Sequence, residues 1–145
     1  MGQRPVEGIQ KEPKPKILVV DDEPKVLQLT KLMLEPYAYE VLTATNGEEA
    51  LRIARSQRID LMLLDLSMPV MDGFEVLLRL KADQATIGIP VVIVTAKEDT
   101  SSILHAQALL ARDYLVKPFE FKVLLRTVTR YVKAPSGVED GGGGS

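Results

Sequence analysis

The chain of 145 residues contains no cysteine and no tryptophan, and aromatic residues make up only 5% of it. The absence of cysteine excludes a disulfide framework and any zinc or iron–sulfur site that needs thiolate ligands. It also favours a reducing compartment, so we expect a cytoplasmic protein. Because there is a single histidine, His105, a histidine-based metal site is not expected either.

Long apolar runs and a dominant charge are also missing. No run approaches the roughly 20 apolar residues needed to cross a bilayer, and the N-terminal segment lacks the apolar stretch of a signal peptide. Residues 16–133 carry 15 basic and 16 acidic side chains and no basic stripe. We therefore expect a soluble domain that binds neither membranes nor nucleic acid.

Glycine is scarce in the central part of the chain. Seven of the ten glycines lie outside residues 16–133. Within residues 16–133, Leu, Val, Ile and Ala are abundant. This distribution predicts one compact domain over 16–133, with flexible tails at 1–15 and 134–145. The last five residues, GGGGS, are typical of a flexible linker.

Short apolar runs alternate with segments of helical periodicity. The runs predict five strands, at 17–20, 41–44, 61–64, 91–94 and 114–116. Continuous apolar runs are typical of strands that are buried on both faces of a parallel sheet. Because parallel crossovers are right-handed, five such units predict a doubly wound, flavodoxin-like α/β fold with strand order 2-1-3-4-5.

Polar residues directly follow four of the predicted strands. Asp21 and Asp22 follow the first, and Asp65 follows the third. Thr95 and Lys117 follow the fourth and fifth. The carboxyl ends of parallel strands share one edge of the sheet, which is where such folds bind ligands. Three carboxylates at this edge require positive charge, and an oxygen-only donor set favours Mg²⁺ or Mn²⁺. With Lys117, the site is suited to phosphoryl transfer to Asp65.

The segments KILVVDDEP, LMLLDLSMPVMDGFE, VVIVTA and DYLVKPF together resemble the receiver domain of two-component response regulators, of the chemotaxis-regulator-like type. The resemblance covers residues 16–133. It implies that Asp65 accepts a phosphoryl group from a sensor histidine kinase or a histidine phosphotransfer protein. The domain would then change conformation to control a partner or an output domain, and would not be an enzyme that turns over a substrate.

The resemblance also implies roles for the residues around Asp65. The implied Mg²⁺ ligands are Asp21, Asp22, Asp65 and the backbone carbonyl of Ser67. The implied phosphoryl-contacting and switch residues are Thr95, Ala96, Lys117 and Tyr114. Two loop positions would tune the lifetime of the phosphoryl group, Ser67 and Lys97. Finally, the family implies a cis peptide bond between Lys117 and Pro118.

The segment before the last strand departs from the family pattern. Receivers usually have a glycine where this chain has Leu110, so we expect either a different helix end or a non-glycine residue at positive φ. The predicted fourth helix is also unusually apolar, in particular at Ile103, Leu104, Leu109 and Leu110. We interpret its second apolar face, with the last strand and helix, as a docking surface for a partner or a second copy. A helix buried under a neighbouring loop is an equally good interpretation.

Two alternative functions use the same residues. One is a degenerate receiver that acts as a constitutive protein-binding adaptor, although no acidic, Thr or Lys position is missing. The other is an aspartyl-phosphate phosphatase of haloacid-dehalogenase type. That family requires a second aspartate two residues after the nucleophile, and this chain has Ser67 there.

Overall fold

The computed structural model describes residues 13–96 and 100–133. Most of the predicted N-terminal tail, the whole predicted C-terminal tail and Lys97 lie outside these residues. Of the helices described, none combines the length and the apolar character required to span a membrane.

Within the described residues, five strands alternate with five α-helices. The strands are β1 (Lys16–Val20), β2 (Glu40–Ala44), β3 (Leu61–Asp65), β4 (Val91–Thr95) and β5 (Asp113–Val116). The helices are α1 (Pro24–Leu34), α2 (Gly47–Ser56), α3 (Gly73–Lys81), α4 (Thr100–Ala108) and α5 (Phe121–Tyr131). A short 3₁₀ helix, Glu35–Tyr37, follows α1.

The strands form one parallel sheet in the order β2-β1-β3-β4-β5. This confirms the predicted fold class and strand order. Every residue of β3 and β4 is buried, as the continuous apolar runs predicted. These two strands lie in the interior of the sheet and have helices on both faces.

Two apolar clusters fill the space between the sheet and the helices. Alternate strand side chains point to opposite faces, so Leu18 and Leu64 belong to one cluster while Val19 and Leu63 belong to the other. Helices α2, α3 and α4 cover the first cluster, and α1 and α5 cover the second. The sheet therefore has the doubly wound arrangement, with its carboxyl edge open.

Local side-chain caps define the helix starts near that edge. The Asn46 side chain accepts a 2.8 Å hydrogen bond from the Glu49 backbone N–H, as in a capping box. The Glu49 carboxylate accepts a hydrogen bond from the N–H of Thr45, whereas in the usual capping box the donor is the N–H of the capping residue itself, one residue later. Asp72 caps α3 in the same way, accepting from the N–H of Glu75 at 3.0 Å.

Helix α4 ends at Ala108, so Leu109 and Leu110 lie in the following turn and not in the predicted helix. The N–H of Ala111 bonds to the carbonyl of Ala106, and the N–H of Leu110 to that of Gln107. This pair of bonds is a Schellman motif, which places Leu110 at the left-handed position with φ 72°. Of the two outcomes expected for Leu110, the structure has the non-glycine at positive φ.

We predict that Leu110→Gly stabilises the protein by about 1 kcal/mol, because the left-handed conformation costs a residue with a Cβ about that much. Leu104→Gly is the matched control, since Leu104 is similarly exposed (59% against 61%) but lies within α4. There the same substitution should cost about 1 kcal/mol of helix propensity. Chemical denaturation measures both values, and destabilisation by both substitutions would contradict the assignment of strain to Leu110.

Candidate functional site

Strand register brings the predicted site residues to one edge of the sheet. Val20 pairs with Leu64, so Asp21 and Asp65, the residues that follow them, leave adjacent strands at the same level. On the other side, Asp65 pairs with Val94, which precedes Thr95. Thr95 is then connected to β5, because the backbone N–H of Lys117 donates to its carbonyl at 2.7 Å.

Three carboxylates converge at this edge. One carboxylate oxygen from each of Asp21, Asp22 and Asp65 lies within 4.8 Å of the others. Asp21 and Asp65 are buried, whereas Asp22 is exposed. Backbone N–H groups orient the two buried ones: Glu23 donates to Asp21 at 2.9 Å, and Ser67 donates to Asp65 at 3.2 Å.

Lys117 supplies the positive charge to this cluster. Its Nζ donates to Asp21 Oδ2 at 2.8 Å and lies 3.7 Å from Asp65 Oδ2. Burial alone would lower the pKa of Lys117, but the hydrogen bond to Asp21 and the charge of Asp65 outweigh it and hold that pKa above its usual value. The peptide bond to Pro118 is cis, as predicted.

The environment of Asp65 raises its pKa to about 6. Burial is the main cause, and the neighbouring charge of Asp21 adds to it. The N–H of Ser67 and the ammonium of Lys117 lower the pKa, but they offset the increase only in part. The carboxylate that the sequence singled out as nucleophile is therefore the one that this site destabilises in its charged form.

Gly73 holds the loop after Asp65 against the sheet. A Cβ at this position would lie 2.5 Å from the carbonyl oxygen of Asp65 and 2.8 Å from Cα of Leu66. The N–H of Gly73 also bonds to the carbonyl of Leu66 at 3.0 Å. The backbone of α3 therefore touches the backbone of Asp65, a constraint that the Asp-Gly pair in the sequence could have indicated.

Two clefts open onto the carboxylates. The α1 cleft, of about 630 Å³, includes Asp65, Lys117 and Pro118 with apolar side chains of α1. The α4 cleft, of about 670 Å³, lies on the other side and is lined by Thr95 with residues of the β3–α3 loop, α3 and α4. Both clefts share Asp22, Ser67 and Ala96.

All but two of the predicted site residues meet here. Tyr114 lines neither cleft; it is half-buried and packs against the apolar cluster beneath α2, α3 and α4. Lys97 lies outside the described residues. Sequence reasoning missed Met68, Phe74 and Ser102 as lining residues of the α4 cleft, because nothing local in the sequence indicates that they approach one another.

The residues of the cluster fit a hard divalent cation. The donors are oxygen atoms only, and the three carboxylates are close enough to share one ion. The backbone carbonyl of Ser67 belongs to the loop that turns directly around Asp65. The chemistry of this donor set agrees with Mg²⁺ or Mn²⁺ and not with a metal that prefers nitrogen or sulfur.

We predict that Asp65→Asn stabilises the metal-free protein at neutral pH by about 1 to 2 kcal/mol. The pKa of Asp65 is raised from 3.8 to about 6 in the folded state. The contribution of the protonated Asp65 carboxyl to stability is therefore fully present below pH 3.8 and is lost as the pH rises through 6. The advantage of Asp65→Asn should therefore disappear near pH 4. Denaturation in EDTA-containing buffers from pH 4 to 8 measures it.

Asp83→Asn provides a control of opposite sign. The N–H of Ala85 and the side chain of Arg55 hold the pKa of Asp83 below its usual value. Its replacement should cost stability at neutral pH and cost less as the pH falls towards that pKa. A stability difference for Asp65→Asn that does not change with pH would contradict the raised pKa.

A family model described as the response regulator receiver domain matches residues 17–129. Protein PilH of Pseudomonas aeruginosa is 38% identical over 113 residues, which are 78% of this chain and 93% of PilH. PhoP of Bacillus subtilis, the alkaline phosphatase synthesis transcriptional regulatory protein, is 41% identical over 104 residues. That match covers 72% of this chain but only 42% of PhoP, so the chain spans less than half of that relative.

Solved structures agree with these relatives. The chemotaxis protein CheY4 of Vibrio cholerae superposes with a TM-score of 0.78 at 34% identity, over 82% of this chain and 99% of CheY4. The receiver domain of a Pseudomonas aeruginosa sensor histidine kinase, which has a magnesium ion in its active site cleft, gives 0.75 at 30% identity. That match covers 81% of this chain and 97% of the kinase receiver. The chain thus belongs to the receiver-domain family of two-component response regulators, as its motifs predicted.

Proposed function

We propose that Asp65 is the phosphoacceptor of a two-component phosphorelay. Receiver domains act as signalling switches that interact with histidine kinases or phosphotransfer proteins. The observation that carries the assignment is the buried Asp65 carboxylate, with Asp21 and Asp22 beside it and the Lys117 ammonium 3.7 Å away. Receiver domains are typically cytoplasmic, and we propose the same location for this one.

The transfer forms one bond and breaks one. A carboxylate oxygen of Asp65 attacks the phosphorus of a phosphohistidine, and the phosphorus–nitrogen bond breaks as the imidazole leaves. Lys117 neutralises charge on the phosphoryl oxygens, and the Thr95 hydroxyl donates a hydrogen bond to one of them. The exposed Ala96 has only a methyl group and leaves room beside the phosphoryl group.

Asp21, Asp22, Asp65 and the Ser67 carbonyl would hold Mg²⁺ or Mn²⁺. When bound, the ion would supply a further two positive charges against the phosphoryl oxygens. The similar kinase receiver that has magnesium in its active site cleft supports this assignment. We propose that Ser67 and Lys97 influence how long the acyl phosphate survives. Ser67 lines the α1 cleft, and Lys97 directly follows Ala96 in the sequence.

The conformational switch would use Thr95 and Tyr114. Thr95 ends β4 at the site, and Tyr114 lies in the neighbouring strand β5, half-buried against the core. As the Thr95 hydroxyl moves towards the phosphoryl group, the ring of Tyr114 would turn inward into the vacated space. Helix α4 follows β4 and precedes β5, so this movement would reach its exposed face.

The α1 cleft suits the approach of a protein phosphodonor. Its lining includes Val26, Leu29 and Met33 of α1, and it also contains Asp65. Leu29 is 54% exposed, and Leu32, three residues further along α1, is 62% exposed. An apolar helix face beside the nucleophile is the kind of surface that a helix of a kinase or phosphotransfer protein can cover.

The alternative functions have less support. A constitutive adaptor would have no need of a buried carboxylate pair beside an ammonium, and all the acceptor residues are present. A phosphatase of the haloacid-dehalogenase type would need a general acid where this chain has the exposed Ser67. A phosphorylation-controlled switch that does not turn over an external phosphate ester is therefore a better assignment than either alternative.

We predict that wild-type protein with Mg²⁺ is modified by acetyl phosphate and binds beryllofluoride, whereas Asp65→Asn does neither. Asp22→Ala should lose most of its Mg²⁺ affinity but keep its fold, because Asp22 is exposed. Acyl-phosphate gels and NMR titrations measure these properties. An unmodified wild-type protein would refute the phosphoacceptor assignment, and unaltered Mg²⁺ affinity in Asp22→Ala would refute the metal assignment.

We also propose that the exposed apolar residues of α4 and its turn dock a partner or a second copy. Fewer of the predicted residues are exposed than expected. Leu104 and Leu110 are exposed, whereas Ile103 and Leu109 are half-buried.

We predict that Leu104→Glu abolishes any dimer formed on addition of beryllofluoride. Light scattering with and without beryllofluoride measures the molar mass of both proteins. Ile87→Glu, a similar change at an exposed residue of another surface, is the control. A monomeric wild-type protein in both states would eliminate the second copy as the occupant.

A further inference from the structure

Lys81, the last residue of α3, is held by two backbone carbonyls. Its Nζ donates to the carbonyl of Ile87 at 3.2 Å and to that of Ile89 at 3.4 Å. Both bonds are longer than the 2.8 Å bond by which Nζ of Lys117 donates to Asp21. Bonds of about 2.8 Å are typical of an ammonium that is paired with a carboxylate. The hydrogen-bond acceptors of Lys81 are therefore uncharged and do not require the side chain to be an ammonium.

These acceptors are sufficient for an uncharged amine. A neutral amine has two N–H groups and one lone pair, whereas an ammonium has three N–H groups. Two carbonyls can accept both N–H groups of the neutral Lys81 and leave its lone pair unused. The bond to Ile87 lies at the surface, because Ile87 is 46% exposed. A reagent in solution can therefore reach the Lys81 amine.

A second cation lies near Lys81. The backbone N–H of Arg112 donates to the carbonyl of Val91 at 2.8 Å, and Val91 is two residues from Ile89. Arg112 is exposed, and within the described residues no carboxylate forms an ion pair with Arg112 or with Lys81. Burial, with the charge of Arg112 added to it, lowers the pKa of Lys81. More of this amine is therefore neutral at pH 7 than in an ordinary lysine.

We propose that Lys81 is an acylation site for small acyl phosphates. The lone pair of the Lys81 nitrogen attacks the carbonyl carbon of the donor, and the bond from that carbon to the bridging oxygen breaks. Phosphate leaves with the electron pair and takes up the proton that the amine loses, so the product is an uncharged acyl-lysine. This reaction goes beyond the proposed function, because at Asp65 the same donor would transfer its phosphoryl group and not its acyl group.

The charges around Lys81 suit this reaction. As the amine attacks, positive charge develops on Nζ, and the carbonyl oxygens of Ile87 and Ile89 stabilise it by accepting its hydrogen bonds. The donor and the departing phosphate are anionic, and the charge of Arg112 attracts both. The product has no charge to bury and none for Arg112 to repel. Acylation therefore removes both causes of the lowered pKa.

The test measures acetylation at each lysine of the wild-type protein. Incubation with acetyl phosphate in EDTA, followed by mass spectrometry of the peptides, gives the initial rates. At pH 7 the rate at Lys81 should exceed that at Lys122 about fivefold, because the lowered pKa leaves more of the Lys81 amine neutral. Lys122, an exposed lysine of α5, is the internal comparison. The difference should disappear in denaturant, and a rate at Lys81 that does not exceed that at Lys122 in the folded protein would overturn the proposal.

Arg112→Gln tests the contribution of the neighbouring cation. The rate at Lys81 with acetyl phosphate should fall about threefold. With N-hydroxysuccinimidyl acetate, an uncharged donor, the rate should fall less, because only the effect of Arg112 on the pKa is lost. Arg52→Gln is the matched control, since Arg52 is an exposed arginine of α2, and it should leave both rates unchanged. Equal losses with the two donors in Arg112→Gln would overturn the assignment of acyl phosphates as the donor class.

A last comparison separates this site from the carboxylates. Lys81 bonds to residues that precede β4, whereas Asp65 lies at the carboxyl end of β3, so the two sites should act independently. Asp65→Asn should therefore keep the Lys81 rate within about twofold of wild type. Loss of Lys81 acetylation in Asp65→Asn would overturn the proposal. A wild-type protein that is acetylated at Lys81 but not phosphorylated with Mg²⁺ present would support it and refute only the phosphoacceptor assignment.

Discussion

The repulsion between two buried carboxylates is the constraint around which this domain is organised. Asp21 and Asp65 leave adjacent strands at the same level and are only 2% and 3% exposed. Burying two like charges side by side is costly unless a cation or a proton compensates them. Lys117 hydrogen-bonds Asp21 at 2.8 Å, whereas burial, with the charge of Asp21 added to it, raises the pKa of Asp65. The site therefore favours the approach of further positive charge.

The packing of the sheet and the helices holds the two carboxylates in this arrangement. The two apolar clusters fix the register of β1, β3 and β4, and a shift by one residue would move the carboxylates to the opposite faces of the sheet. Gly73 brings α3 into backbone contact with Asp65, so this carboxylate is positioned by the start of a helix as well as by its strand. A change at the Asp65 carboxylate can in this way be transmitted to α3 directly.

Helix α4 and the turn after it are less completely packed than the strands that carry the carboxylates. The turn contains a leucine at positive φ, and apolar residues of the helix and turn remain exposed. Leu110 is therefore strained where the family usually has glycine, and its side chain points where a partner can reach it. The stacking of Phe74 on His105 joins this segment to α3, which itself contacts Asp65. Helix α4 is thus linked through packed side chains to the site.

The sequence by itself determined the fold class, the strand order and the identity of the clustered carboxylates. The reason is physical: continuous apolar runs identify buried parallel strands, and a polar residue directly after such a run must lie at the carboxyl edge. The same reasoning placed Lys117 and Thr95 correctly, since each also follows its strand. Only the tertiary structure decided which carboxylate carries the raised pKa, that Leu109 and Leu110 lie beyond α4, and that Phe74, Ser102 and Met68 border one cleft. These features depend on contacts between residues far apart in the chain, and no local pattern of side chains specifies such distances.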